Sequence, residues 1–193
     1  MKTTDQAVGQ LDRAGGPAEA SSGCALAQAM LAEFERELGT TRKFLERVPA
    51  DRLTWRPHEK SMTAGQLALH IAQVPAGVLS LSLADEATAP DFRAGPQQPQ
   101  TSRDVLDALD RSAAVVRQTL PTIDDSRMRR TFTIVRNGRA LMSLPRVDFL
   151  RAIMLNHWYH HRGQLGVYLR LLGAAVPSSY GPSGDESPFP AAS

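Results

Sequence analysis

Apolar side chains recur at alternating steps of four and three residues in four stretches of the chain, the period that puts them on one face of an α-helix. The first stretch comprises Ala27, Leu31, Phe34, Leu38, Thr41, Leu45 and Val48 and predicts a helix over 24–48. The second comprises Leu67, His70, Ile71, Val74, Val78 and Leu81. The third comprises Leu106, Leu109, Ala113, Val116 and Leu120. The candidate N-caps of these two helices are Ser61 or Thr63, and Thr101 or Ser102.

The fourth stretch follows a segment with a different pattern. Residues 131–144 are rich in β-forming side chains around Asn137-Gly138, which predicts a hairpin with a type I′ turn. A helix over 145–172 then carries the stripe Val147, Leu150, Met154, His157, His161, Gln164, Tyr168 and Leu171. Residues 87–100 are proline-rich and predict an irregular loop. The chain is therefore expected to be all-α, a four-helix bundle with a small β-hairpin between helices 3 and 4.

Composition divides the chain into three parts. Residues 1–23 have little hydrophobic periodicity and predict a flexible N-terminal arm, residues 24–173 form the bundle, and residues 174–193 form a C-terminal tail rich in Pro, Ser and Gly. Residues 61–84 lack charged side chains but hold several polar ones, which favours a buried helix over a membrane span. Residues 1–17 show no apolar run typical of a signal peptide, so we expect a cytoplasmic protein.

Charge and cysteine content narrow the chemistry. The 193 residues carry a formal net charge of +2, which gives no overall reason to expect nucleic acid binding. The single cysteine, Cys24, excludes an intrachain disulfide and a cysteine-rich metal site. Any metal would therefore be held by histidine, carboxylate or carbonyl groups.

Three histidines lie within the apolar stripes. His157 and His161 are separated by four residues and project from the same face of helix 4, while His70 lies in the stripe of helix 2. Imidazoles in a core cost free energy unless their nitrogens have partners, and one metal ion can satisfy all three. Imidazole suits zinc, nickel, iron(II) or copper. The alternative is that the three rings are hydrogen-bonded core histidines.

Other candidates carry weaker signals. Gln164 and Arg162 are weak candidates for orienting a ligand; Gln164 lies one turn beyond His161, whereas Arg162 leaves the stripe and is expected to be solvated or at a dimer face. His160 leaves the stripe and is expected to pack or to face outward, and His58, in the loop before helix 2, is expected to be solvated or to reach the mouth of the bundle. An arginine-rich segment could follow phosphates, but a solvated surface explains it better, so nucleic acid is an unlikely partner. Its members are Arg127, Arg129, Arg130, Arg136, Arg139, Arg146 and Arg151.

Two segments, Trp55 to His70 and Asn156 to Gly173, together with Val176 to Asp185, resemble the DinB-like family of metal-binding four-helix proteins. The resemblance covers residues 24–186 and places the histidine triad of the family on His70, His157 and His161. It implies a divalent metal ion, a small-molecule substrate such as a low-molecular-weight thiol, and a homodimer. The leading hypothesis is a metalloenzyme, a transferase or hydrolase, that activates a thiol or water. The alternative is a non-catalytic, metal-stabilised stress-response bundle.

Overall fold

A computed structural model describes residues 23–91 and 95–189 of the chain. The predicted arm, residues 1–23, lies outside this part except for Gly23. The helices are α1 (Ala25–Glu46), α2 (Ala64–Leu81), α3 (Ser102–Thr119), α4 (Asp125–Arg129), α5 (Arg146–Phe149) and α6 (His157–Leu171). Short 3-10 turns cover Ala50–Arg52 and Leu120–Thr122, and a π-helical segment, Leu150–Asn156, joins α5 to α6. The protein is mostly helical, as the periodicity predicts.

The starts of α2 and α3 follow from their sequences. Thr63 accepts a hydrogen bond from the backbone N–H of Gln66, whose side chain accepts one from the N–H of Thr63. Thr101 and Asp104 form the same reciprocal pair at α3. Each capping box satisfies backbone donors that would otherwise lack a partner. Thr63 and Thr101 are therefore the caps, rather than their serine alternatives.

A small sheet accompanies the helices. Strands β2 (Thr131–Arg136) and β3 (Arg139–Pro145) form the predicted antiparallel hairpin, and β1 (Glu86–Thr88) pairs with β2 in parallel. Asn137 and Gly138 have φ angles of 52° and 72°, as a type I′ turn requires. The sequence did not predict β1: it overlaps a segment expected to be irregular, and its three residues become a strand only by pairing with β2.

The core lies between the long helices. Helix α2 packs against α3 and α6, while α1 also packs against α3 and α6. By length and composition α2 is apolar enough to cross a membrane, yet 56% of it is buried inside the protein, as is common for a core helix. The residues of α2 that face the other helices are thus already covered by protein.

The last helical run differs from its prediction. The sequence predicts a continuous helix over 145–172, but Pro145 ends β3 and the π-helical segment interrupts the run. A π turn holds an extra residue, so the positions that follow it rotate on the helix. The buried side chains of α6 are Trp158, Arg162, Leu165, Tyr168 and Leu169. The placement of Leu171 in the core is therefore wrong, since it is 60% exposed.

Residues beyond α6 lie on the helices. Arg47 of α1 forms an ion pair with Glu186, and Arg170 of α6 forms one with Asp185. The hydroxyl of Tyr180 lies 3.2 Å from a carboxylate oxygen of Glu37. These contacts hold the described part of the C-terminal tail against α1 and α6.

Candidate metal centre

The structure brings the three predicted histidines together. His70 comes from the middle of α2, and His157 and His161 come from successive turns of α6. One ring nitrogen from each lies within 4.8 Å of the others. The Nε2 atoms of His70 and His157 are 3.1 Å apart. All three side chains are partly buried, and together they are called the histidine triad below.

The donor set of the triad fits a divalent ion. Zinc–imidazole bonds of about 2.05 Å in a tetrahedral site place two ligand nitrogens about 3.3 Å apart, close to the 3.1 Å between His70 and His157. Among the described residues, this candidate ligand group contains neither a carboxylate nor a thiol. Such a set of three neutral nitrogens is used by catalytic zinc sites, in which a further coordination position stays open.

The electrostatic environment keeps these rings neutral. Burial, and then the charges that His161 and His157 would carry, lowers the pKa of His70 from 6.5 to about 4. Burial likewise lowers the pKa of His157 and of His161. At neutral pH the rings therefore offer lone pairs, and protons do not compete with a metal ion.

Gln164 contacts the triad from the next turn of α6. Its side-chain oxygen lies 2.8 Å from Nδ1 of His161. Because an amide oxygen can only accept, the neutral ring of His161 carries its hydrogen on Nδ1 and donates it to Gln164. The lone pair of the ring is then on Nε2, the other nitrogen. Of the two weak candidates for orienting a ligand, Gln164 is thus the one that the structure brings to the triad.

Arg162 is placed differently, and its predicted solvent exposure is wrong. The side chain is only 2% exposed and forms an ion pair of 2.6 Å with Glu37 of α1. Its guanidinium lies 5.4 Å and 5.2 Å from the ring centres of Tyr159 and Tyr180. The rotation produced by the π-helical segment turns this position inward, where the Glu37 carboxylate compensates its charge.

Arg162 also lines a cavity of about 500 Å³ between α6 and the C-terminal tail. None of the triad histidines lines this cavity, and its walls include Phe44, Gly166, Val176 and Tyr180. Arg162 therefore lies on the side of α6 that faces α1 and the C-terminal tail.

Trp158 connects α2 to α6 beside the triad. Its indole Nε1–H donates a hydrogen bond of 2.9 Å to the carbonyl oxygen of Ile71. The sequence indicates that Trp158 is a packing residue, which its complete burial agrees with, but this hydrogen bond was not foreseen. A proline four residues after Ile71, at position 75, is the signal that could have found it.

The remaining candidates stay outside the triad. His58 is exposed, and His160 takes the outward-facing one of its two predicted placements. Within the arginine-rich segment, Arg146 is fully buried. Five further members bond to protein groups: Arg127 to the carbonyl of Leu83, Arg129 to that of Asp125, Arg130 to Asp85, Arg136 to the carbonyl of Pro90, and Arg151 to Glu33. These contacts leave less free charge for phosphates than the sequence suggests.

Comparison with known proteins decides the family. The model of the DinB family matches residues 22–188, most of the chain. This chain belongs to the DinB family. Two proteins of Bacillus subtilis (strain 168) are similar to this chain in sequence. The uncharacterized protein YrdA is 27% identical over 162 residues, 81% of this chain and 89% of the relative. The uncharacterized protein YjoA is 26% identical over 148 residues, 75% of this chain and 89% of the relative.

Solved structures show the same fold. A DinB-like protein from Bacillus cereus ATCC 10987 superposes with a TM-score of 0.62 at 24% identity, over 79% of this chain and 97% of the other. The DinB-like protein YjoA from Bacillus subtilis superposes with a TM-score of 0.59 at 20% identity, over 79% and 96%. The fold of this chain is therefore similar to that of these DinB-like proteins.

Proposed function

We propose that this DinB family protein is a metalloenzyme that holds a divalent ion, zinc, nickel or iron, on His70, His157 and His161. The convergence of three neutral imidazoles from two helices, with no carboxylate in the group, carries the proposal. When bound, such an ion supplies Lewis acidity, which lowers the pKa of a coordinated thiol or water. The reaction class is transfer or hydrolysis on a small molecule, with a low-molecular-weight thiol as the leading substrate.

Within this proposal each residue has a separate task. His157 and His161 form a fixed pair on one helix, and His70 completes the ligand set from α2. Gln164 accepts a hydrogen bond from Nδ1–H of His161 and so leaves the lone pair of that ring on Nε2, where it can bind the ion. Arg162 has no catalytic task in this scheme, because Glu37 neutralises its charge and the tail covers it.

The second candidate is a non-catalytic bundle stabilised by the ion, with a role in stress response. The observation that favours it is that the ligands come from α2 and α6, so that an ion would tie two separate helices together. This candidate predicts metal-dependent stability without metal-dependent turnover.

The proposal also includes the setting of the site. We propose that the four long helical stretches act as a four-helix bundle, that the protein is a cytoplasmic homodimer, and that its ligands are small molecules rather than nucleic acid or lipid. Resemblance to the DinB-like family supports the bundle and the dimer. Burial of over half of α2 supports a location outside the membrane.

The test is elemental analysis of tag-free protein purified without added metal or chelator. We expect near-stoichiometric zinc, nickel or iron in the wild type and almost none in His157→Ala. The matched control is His160→Ala, which removes an exposed imidazole from the same helix and should keep the metal. Folded wild-type protein that stays empty even after reconstitution with each metal would contradict the proposal.

Catalysis is tested on the reconstituted protein. Thiol transfer and hydrolysis that occur in the loaded wild type and His160→Ala, but not in His157→Ala, would favour the enzyme. Full metal occupancy that raises the melting temperature without any such turnover would favour the non-catalytic bundle.

A further inference from the structure

We infer that Pro75 and Trp158 are positioning residues that set the register of α2 against α6, so that His70 meets the two histidines of α6. The inference rests on the proposed metal site and names residues outside its ligand set. The observation that carries it lies next to the triad. Pro75 leaves the carbonyl of Ile71 without its usual helical donor, and this carbonyl accepts a hydrogen bond from the indole N–H of Trp158.

The first step concerns the backbone of α2. In an α-helix the N–H of each residue bonds to the carbonyl four residues earlier. Pro75 lies inside α2 and has no N–H, so this bond to the carbonyl of Ile71 cannot form. That carbonyl is available to a donor from another helix, and Nε1 of Trp158 lies 2.9 Å from it.

The second step is the position of this bond relative to the triad. Ile71 directly follows His70, and Trp158 directly follows His157. The hydrogen bond therefore joins the side chain of Trp158 to the backbone of α2, and each of the two bonded residues is the neighbour of a ligand. His157 and His161 share a helix, so the register between helices mainly decides where His70 lies relative to them.

The third step concerns what else could set the register. Around the triad α2 contributes apolar neighbours such as Leu67, Ile71 and Val74 to the packing, and dispersion contacts between such side chains have little directional preference. A hydrogen bond requires a defined distance and angle. Trp158 is completely buried and its ring is stacked on Phe34 at 5.2 Å, which fixes the donor in place.

The first variant is Trp158→Phe, which keeps an aromatic ring next to Phe34 but removes the N–H. Zinc affinity is measured by competition with a chromophoric chelator, and site geometry by the visible absorption of the cobalt(II)-loaded protein. We expect a zinc dissociation constant about 10- to 100-fold higher and a changed cobalt spectrum. The metal-free variant should also melt at a lower temperature, because the carbonyl of Ile71 loses its buried partner.

The second variant separates register from stability. In Trp158→Phe/Pro75→Ala the new N–H at position 75 can bond to the carbonyl of Ile71 within α2. Melting temperature should therefore recover relative to Trp158→Phe, while zinc affinity stays low because the indole hydrogen bond from Trp158 to α2 is still absent. If Trp158→Phe alone does not fold, this double variant carries the affinity measurement.

The matched control is Ser112→Ala. Ser112 of α3 accepts a hydrogen bond of 3.1 Å from the N–H of Ala76, so this substitution removes another contact to α2, one residue from Pro75 but directed toward α3. We expect a lower melting temperature with wild-type zinc affinity and cobalt spectrum.

The outcomes are distinguishable. Zinc affinity that is unchanged in Trp158→Phe, or that recovers together with stability in the double variant, would overturn the positioning role and leave the metal site intact. Affinity that falls equally in Ser112→Ala would also overturn it, because general destabilisation would then explain the loss. Wild-type protein that binds neither zinc nor cobalt would overturn the proposed function and the inference with it.

Discussion

Two polar clusters contact α2, and they differ in whether the protein completes their hydrogen bonds. At the end of α2, Arg146 is fully buried, and its guanidinium donates to the carbonyls of Ser82 and Ala84 and to Asp85 at 2.6, 2.9 and 2.8 Å. A further bond reaches the carbonyl of Arg127. Between the middle of α2 and α6, the histidine triad brings one ring nitrogen of each residue within 4.8 Å of the others, and the Nε2 atoms of His70 and His157 face each other.

The difference shows how a structural cluster can be told from a candidate ligand site. The carbonyls at the end of a helix lack intrahelical partners, and a cation at that end also interacts favourably with the helix dipole. Arg146 meets both needs, so its cluster is complete without any ligand. The triad, in contrast, gathers lone pairs that only a cation or protons could satisfy together. Two polar clusters that contact the same helix thus have opposite requirements.

The largest expected effect comes from removing the guanidinium of Arg146 from its hydrogen-bonded cluster. Arg146→Met keeps the length of the side chain but leaves several carbonyls without their donor, and each unpaired buried acceptor costs about 1–3 kcal/mol. We expect a loss of about 3–5 kcal/mol in the free energy of unfolding, measured by urea denaturation of metal-free protein. Arg129→Met, at an exposed position, should change it by less than about 0.5 kcal/mol. Equal stability of the two variants would contradict this interpretation of Arg146.

A smaller effect should appear when protons occupy the triad. His70 has a pKa of about 4 in the folded protein and 6.5 as its ordinary value, so the unfolded chain takes up protons first as the pH falls. Its contribution to stability is complete above pH 6.5 and is lost as the pH falls toward 4. We expect metal-free protein to lose about 2 kcal/mol over this interval.

Urea denaturation at a series of pH values measures this loss. His70→Gln, which cannot take up a proton there, should show a smaller loss than the wild type over the same interval. Stability that rises between pH 6.5 and 4, or an equal slope in the variant, would refute the assignment to His70.

The smallest effect concerns Gln164. Gln164→Ala removes the acceptor from Nδ1 of His161 and should raise the zinc dissociation constant about tenfold. Gln164→Glu keeps an oxygen acceptor and should retain wild-type affinity or better, as measured by chelator competition. The reverse order of the two variants would show that Gln164 does not orient His161.

The sequence was sufficient for features that depend on local pattern. The helical period located the long helices, the capping residues marked the starts of α2 and α3, and Asn137-Gly138 marked the hairpin turn. The triad was accessible for the same reason, because histidines inside an apolar stripe conflict with the rest of the stripe. In the structure one nitrogen of each ring lies within 4.8 Å of the others, which agrees with that reasoning.

Features that depend on distant partners could not be predicted. β1 exists through its pairing with β2, and the burial of Arg146 depends on carbonyls more than 60 positions earlier in the chain. Arg162 was misplaced because a regular period was extended through the π-helical segment, which has no clear signature in the sequence. From sequence alone a charged side chain is predicted to be solvated, because its buried partner, here Glu37, lies far away in the chain.

The π-helical segment also determines where the chain tolerates changes in length. Loops usually accept insertions and deletions, but one residue of an α-helix corresponds to about 100° of rotation. Deleting Ala152, an exposed residue of Leu150–Asn156, would remove the extra residue of the π turn and let this segment become regular α-helix. His157, His161 and Arg162 would then keep their angular positions. The same deletion at Gly163, an exposed residue in regular helix, would turn the residues that follow it by about 100°, so tolerance of a single-codon deletion is concentrated in the π-helical segment.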